Sequence, residues 1–308
     1  MRIAIAGGNS FIGRNLTRWL LDAGHDVAWL SHRPGRAREL GFSPTALVDA
    51  HFDPGDPSGP WRDVARHADA VVNLSGYPIV SRWTARSLAL IRESRIATTR
   101  ALVDAIGEAR SAGGGPSVLV NASGAGIYGD RGDEVVDERT PATAGFLGQL
   151  AQEWEAEAMR ARDSGARVVV VRTPPVLGEE GFLPRMALPM RLFAGGPIGS
   201  GAQWLPWIHI DDIAAVYHHA IETATLDGPV DAVAGSIRMR DFARALGGAM
   251  RRPSWFPVPV IALRVVLGPV APYIVESQRI EGARLREGGF AFAHPELEDA
   301  LRDAIARH

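Results

Sequence analysis

The chain is 308 residues long, and its 33 basic Lys+Arg positions are all arginine; it contains no lysine and no cysteine. Those absences exclude a disulfide framework, a thiolate nucleophile or zinc ligand, a Schiff-base or Walker-type lysine and a Tyr-x-x-x-Lys pair, and they are compatible with a reducing cytosol. Against 35 acidic residues the net charge is −2, and 46% of the chain is hydrophobic, which argues against nucleic acid or an anionic membrane as the main partner and describes a soluble chain with a sizeable core.

Short apolar runs with β-branched residues alternate with longer helical patterns. Ile3–Ala6, Val27–Ser31, Ala46–Phe52, Ala70–Leu74, Val118–Ala122 and Val168–Arg172 read as strands, and Phe11–Ala23, Thr84–Ala109 and Gly148–Ser164 as helices. Strict alternation predicts an α/β fold with a doubly wound parallel sheet covered on both faces. Gly113–Gly115 followed by Pro116 closes the long helix. After Arg172 the rhythm breaks into Pro- and Gly-rich sequence. Asp211 and Asp212 then cap a helix through Thr223, Asp227-Gly228 turns into a strand at Val230–Ala234, and helices follow near Met239–Met250, Ile261–Leu267 and Leu297–Ala306. The pattern predicts a nucleotide-binding domain over residues 1–172, joined by about 205–235, and a smaller, partly interleaved C-terminal α/β cap over 173–204 and 236–308. Met1–Ala6 runs into a strand pattern rather than a charged cleavable leader. The apolar stretch Val258–Val275 is broken by Arg264, Pro259, Gly268, Pro269 and Pro272 and reads as packed helices, so a cytoplasmic protein without a membrane span is expected.

Gly7-Gly8-Asn9-Ser10-Phe11-Ile12-Gly13 places a glycine-rich turn between the first strand and the first helix. Backbone N–H groups and the positive helix end there face a pyrophosphate. Gly7 allows the tight turn, Gly13 lets the helix sit close to the sheet, and the Ser10 hydroxyl can donate to a phosphate oxygen. The second strand ends Ser31-His32-Arg33, followed by Arg36 and Arg38, where an acid would mark NAD. A guanidinium pairs with a 2′-phosphate through a bidentate fork, so NADP is expected over NAD; a solvated basic helix start is the other reading. Asp53, after the third strand, either accepts from the adenine amino group or serves the turn at Pro54.

These residues, with Val71-Val72-Asn73-Leu74-Ser75-Gly76, Arg82-Trp83-Thr84, Ile91-Arg92-Glu93-Ser94-Arg95, Ile127-Tyr128-Gly129-Asp130, Glu153-Trp154-Glu155, Gly196-Pro197-Ile198-Gly199 and Trp207-Ile208-His209-Ile210-Asp211-Asp212, resemble an extended short-chain dehydrogenase/reductase. More narrowly, the chain resembles NAD-dependent epimerase family proteins of the YfcH-like type, which carry a C-terminal domain of unknown function. The resemblance implies that Gly7, Asn9, Ser10, Phe11, Ile12, Leu74, Ser75, Gly76, Ala122 and Arg172 line the cofactor. It makes His209 a scaffold or helix-entry imidazole.

Typical members of that superfamily use a Ser or Thr after the fifth strand and a Tyr-x-x-x-Lys on the next helix as acid and base. Ser123 fits the first position. The next helix reads Phe146-Leu147-Gly148-Gln149-Leu150-Ala151, with neither tyrosine nor lysine. Tyr128 and Glu155 are the substitutes, Tyr128 being otherwise a packing residue. Glu153 and Glu155 either gain a raised pKa in a closed pocket or sit on a solvated face with Arg160 and Arg162. Arg92 and Arg95, one turn apart, form a salt-bridge network or present a guanidinium to an anionic substrate. Tyr77 stands where relatives tend to place an acid, which suits an aromatic substrate. The expected protein is a monomeric or homodimeric NADP(H)-binding oxidoreductase or epimerase-like enzyme for a small carbonyl or hydroxyl substrate, with no metal. The alternative is a non-redox use of the fold as a sensor, scaffold, cyclase or eliminase.

Overall fold

The computed structural model describes residues 1–43 and 47–307. Ala46, the expected start of the third strand, lies outside the described residues. The strands in chain order are β1 (Arg2–Ala6), β2 (Asp26–Ser31), β3 (Leu47–His51), β4 (Ala70–Asn73), β5 (Val118–Gly124), β6 (Val135–Val136), β7 (Arg167–Thr173), β8 (Val176–Leu177), β9 (Trp204–His209), β10 (Gly228–Asp231), β11 (Gly235–Arg238) and β12 (Arg279–Ile280). The helices are α1 (Phe11–Asp22), α2 (Arg36–Glu39), α3 (Trp61–Arg66), α4 (Ala85–Ser111), α5 (Phe146–Met159), α6 (Phe182–Arg191), α7 (Ile210–Glu222), α8 (Met239–Met250), α9 (Val260–Leu267), α10 (Ala271–Ile274), α11 (Arg284–Glu287) and α12 (Leu297–Ala306).

One seven-stranded sheet has the order β10-β7-β5-β4-β1-β2-β3, and every pairing in it is parallel. Its two faces are assigned by the period-two alternation along each strand. Ile3, Ile5, Val72 and Val120 join the core with Leu16, Leu20, Ile213 and Val216 of α1 and α7. Ala4, Ala6, Val71 and Leu119 face the other way, onto Leu102, Ile106 and Ala158 of α4 and α5. The strand order reverses between β1 and β4, and a crevice at such a point, outside the carboxyl ends of the strands, is where this architecture holds ligands.

The second half adds a three-stranded sheet, β11-β9-β8, and a two-strand pair, β12-β6. The latter joins the tail to the loop after β5 in parallel, with Arg279 opposite Val135. Ser277 reinforces this junction: its backbone N–H donates to Asp130 Oδ1 at 3.2 Å, its hydroxyl donates to Gly132 O at 2.5 Å, and it accepts from Trp204 N at 3.0 Å. No described helix is long and apolar enough to cross a membrane.

Some local expectations shift. α5 stops at Met159 and tightens into a 3-10 segment, Arg160–Ser164, before Gly165 turns at φ +80. The cap of α7 is His209, whose Nδ1 accepts from Asp211 N at 3.2 Å, while Asp211 and Asp212 sit in the first turn. An imidazole acceptor does there what an Asp usually does. The strand expected at Val230–Ala234 ends at Asp231, and Gly235–Arg238 then pairs antiparallel with β9. With Ile237 as its sole large apolar residue, that segment carries no alternation to read.

Candidate active site

Parallel topology brings the strand-end candidates to one edge of the sheet. Gly7 to Ile12 follow β1, Ser31 to Arg33 end β2, Asp53 follows β3, Leu74 to Gly76 follow β4, Ala122 and Ser123 lie at the end of β5, and Arg172 ends β7. The glycine turn is built by contact as well as by φ. Gly7 turns at φ +79, and a Cβ on it would lie 2.9 Å from the Leu74 backbone, so the β1 turn and the β4 end meet here. A Cβ on Gly13 would lie 2.5 Å from Gly7 O and 2.6 Å from Gly8 O. Ser10 caps α1 by accepting from Gly13 N at 3.1 Å. That bond uses a lone pair of Oγ and leaves its hydroxyl proton available.

At the end of β2 the Ser31 Oγ is buried and has no hydrogen-bond partner among the described residues. His32 stacks over Phe52, and Arg33 is exposed with no carboxylate on it among the described residues. A buried hydroxyl without a partner beside a free guanidinium fits a phosphorylated ribose, since an orphaned buried polar atom is costly unless a ligand satisfies it. Asp53 takes the turn role: its Oδ1 accepts from Gly55 N at 2.9 Å.

Four side chains proposed from sequence prove to be one buried network. Ser123 Oγ donates to Glu155 Oε1 at 2.7 Å. Glu155 receives a bidentate fork from Arg172, Nε to Oε1 and Nη2 to Oε2, both at 2.9 Å. Arg172 Nη1 donates to the Tyr128 hydroxyl at 2.9 Å, and Tyr128 donates onward to Asp231, 2.8 Å from both carboxylate oxygens. Two expectations are corrected by this geometry. The Arg172 guanidinium is spent on Glu155, Tyr128 and Glu138 O rather than on a cofactor. Tyr128 is fully buried, and burial followed by the Asp231 charge holds its phenol well above the usual tyrosine range, which removes it as a proton donor in the cleft. Glu155 takes neither the free-acid role nor a place among the arginines expected for it; Arg160 pairs with Glu157 and Arg162 with Asp227. Glu153 is on the surface, with Arg92 at 2.7 Å.

Sequence reasoning missed Asp231, whose partners are distant in the chain. Burial first, then the neighbouring Glu138, pushes its carboxyl up to about 7. Between roughly pH 4 and 7 the folded chain therefore keeps a proton that the unfolded chain has released, so this group's contribution to stability is full below pH 4 and is lost as pH rises to 7. Asp231→Asn is expected to flatten the fall of stability over that window by up to about 1.4 kcal/mol per pH unit, read by urea unfolding at stepped pH. Glu276, also raised to about 7 by burial and then Asp130, leaves a residual slope. An unchanged slope in the variant would show that Asp231 is ionised in the fold.

A second buried set orders the ends of β4 and β5. Asn73 Nδ2 donates to Thr99 Oγ1 and Asn121 Oδ1, both at 2.8 Å, its Oδ1 accepts from Ser75 N at 3.1 Å, and Trp154 Nε1 donates to Thr99 Oγ1 at 2.8 Å. The visible signal was an asparagine directly after the three-residue apolar run of each of two strands.

A glycine turn at the switch point of a doubly wound parallel sheet, with a polar network at the end of the fifth strand, defines a dinucleotide-binding protein of Rossmann type. The chain belongs to the NAD dependent epimerase/dehydratase family, whose profile matches residues 3–234, and residues 258–304 match a domain of unknown function, DUF1731. It is 37% identical over 314 residues to the epimerase family protein SDR39U1 of Bos taurus, covering 99% of this chain and 100% of that one. It is 34% identical to YfhF of Bacillus subtilis, over 99% and 98% of the two chains. The crystal structure of human SDR39U1 with NADPH superposes with a TM-score of 0.87 at 33% identity, over 100% of both chains.

Proposed function

We propose that this chain is an NADP(H)-dependent oxidoreductase or epimerase-like enzyme that acts on a small carbonyl or hydroxyl substrate without a Tyr-x-x-x-Lys pair. The observation that carries it is the β2 end, where the buried, partnerless Ser31 hydroxyl and the free Arg33 await a 2′-phosphate; the relative crystallised with NADPH supports it. The N–H groups of Gly8 to Ile12 and the start of α1 hold the pyrophosphate, and Leu74, Ser75, Gly76 and Ala122 line its further course. A bound nicotinamide supplies or accepts hydride. Ser123 handles the substrate oxygen: because its proton is given to Glu155, its lone pairs are left to accept from a substrate hydroxyl. A proton leaving that hydroxyl passes to Ser123 as Ser123 passes its own to the Glu155 carboxylate, and the reverse order protonates a carbonyl oxygen once Glu155 has taken a proton from solvent. Arg172 fixes both carboxylate oxygens of Glu155, Oε1 shared with Ser123, and so positions Ser123.

The fully buried Tyr128 and the absent pair favour a second reading, a cofactor-binding protein without redox turnover. NADPH titration by fluorescence followed by a carbonyl panel separates the two. Oxidation of NADPH that disappears in Ser123→Ala supports the first, tight binding with no oxidation across the panel supports the second, and no binding of either NADPH or NADH overturns both. Arg33→Ala is expected to weaken NADPH by about 1.5–3 kcal/mol while leaving NADH nearly unchanged. Equal losses for the two cofactors would make Arg33 structural.

A further inference from the structure

Among the described residues three arginines are buried, Arg62, Arg95 and Arg172. Arg62 holds Glu108 at 2.5 Å and Arg172 holds Glu155 at 2.9 Å. Arg95 is 7% exposed and has no carboxylate within ion-pair distance among the described residues. Its neighbour one turn back, Arg92, takes the nearby Glu153, so the pair of arginines does not form the shared network that their spacing suggests. The hydrogen bonds of the Arg95 guanidinium leave from Nη1, to Ile91 O and Tyr77 O at 3.0 Å each. Its Nε is buried without an acceptor, and its Cζ lies 5.0 Å from the centre of the Trp154 ring. Burial draws its pKa down to about 10, which leaves it cationic at neutral pH. A buried charge without a counter-ion is among the most expensive features a core can carry.

Its position says what the charge is for. A Cβ on Gly76 would lie 2.8 Å from Arg95 Cζ and 2.9 Å from Nη2, so the guanidinium fills the space where a side chain at 76 would go. Gly76, Tyr77 and Pro78 directly above it are exposed. They follow directly on the β4 end that abuts the Gly7 turn, so the cation lies against the segment two residues beyond that end.

We infer that Arg95 is the counter-charge for an anionic group, a carboxylate or phosphate, carried by the substrate and bound over Gly76 and Tyr77. The inference rests on the crevice being the cofactor cleft. Two sources could supply the anion, the substrate or a phosphate of the cofactor, and the test separates them.

Thermal unfolding of the full chain is measured in sodium chloride, sodium phosphate and sodium succinate at equal ionic strength, with and without saturating NADPH. The expected result is a rise of about 3 °C or more in phosphate or succinate over chloride that persists with NADPH bound. In Arg95→Met that rise is lost, the melting temperature in chloride is equal to or above the wild type, and the NADPH dissociation constant stays within about twofold. Arg95→Lys keeps part of the rise. Gly76→Ala, whose Cβ would displace the guanidinium from its place without removing the charge, also loses it and serves if Arg95→Met does not fold. No anion effect in the wild type overturns the inference, as does a lower melting temperature in Arg95→Met with the anion rise intact, which makes the arginine structural. An anion rise abolished by NADPH, with NADPH weakened about tenfold or more in Arg95→Met, assigns the cation to the cofactor and overturns the substrate reading. Failure to bind NADPH at all counts against the proposed function, while the anion effect is read without it.

Discussion

Glu155→Ala is expected to lower the stability of the fold by about 3–5 kcal/mol, because it strands the Arg172 guanidinium in a buried site with its bidentate acceptor gone. The magnitude follows from the asymmetry of buried ion pairs: removing one partner leaves the desolvation of the other uncompensated, whereas removing both leaves none. The double variant Glu155→Leu, Arg172→Met should therefore recover most of the loss. Tyr128 keeps its bonds to Asp231 in that background, so the phenol is not orphaned. Urea unfolding of the two single variants and the double variant measures the coupling directly. A loss below about 1 kcal/mol in Glu155→Ala would place the pair with solvent-exposed salt bridges and would remove the argument that it positions Ser123.

Gly13→Ala should weaken NADPH binding by roughly a hundredfold, since the three atoms nearest its Cβ belong to the backbone of Gly7 and Gly8 and the turn itself has to move. A displacement of about an ångström takes the phosphate-facing N–H groups out of register. The accompanying loss of stability should be about 1–3 kcal/mol. Gly107→Ala is the control: it lies within α4 with nothing near its Cβ, and it should gain about 0.5–1 kcal/mol with no change in binding. Fluorescence titration and urea unfolding of both variants check the pair, and unaltered binding in Gly13→Ala would show that the turn does not cradle the phosphates.

The parallel sheet was legible because its strands are buried on both faces and so appear as continuous apolar runs between amphipathic helices, and the β1 turn because glycines there answer a local backbone demand. Residue roles were less legible where they depend on contacts far apart in the chain. Tyr128 could not be excluded from the cleft by its surroundings in sequence, since the group that engages it, Asp231, is 103 positions away. Arg172 looked like a cofactor contact because its strand ends at the right edge; only the opposing helix shows that Glu155 takes its fork. Arg92 and Arg95 are equivalent by spacing, yet one faces a carboxylate on the surface and the other lies beneath Gly76 with none among the described residues. The cap of α7 was misread because imidazole acceptors are rare in that position, and β11 because a four-residue edge strand with one large apolar side chain has no period.

The tail strand β12 pairs with β6 in the loop after β5, and β9 leads directly into α7, which packs on α1 beneath the main sheet. Each half of the molecule thus holds elements whose pairing partners lie in the other. Such interlocking ties the tail to the loop after β5 both through the β12–β6 pairing and through the Ser277 hydrogen bonds. It couples the two halves mechanically, so heat or denaturant should melt them in one cooperative transition, and a ligand seated at the β1 turn should protect amide protons as far away as the helix at the end of the chain.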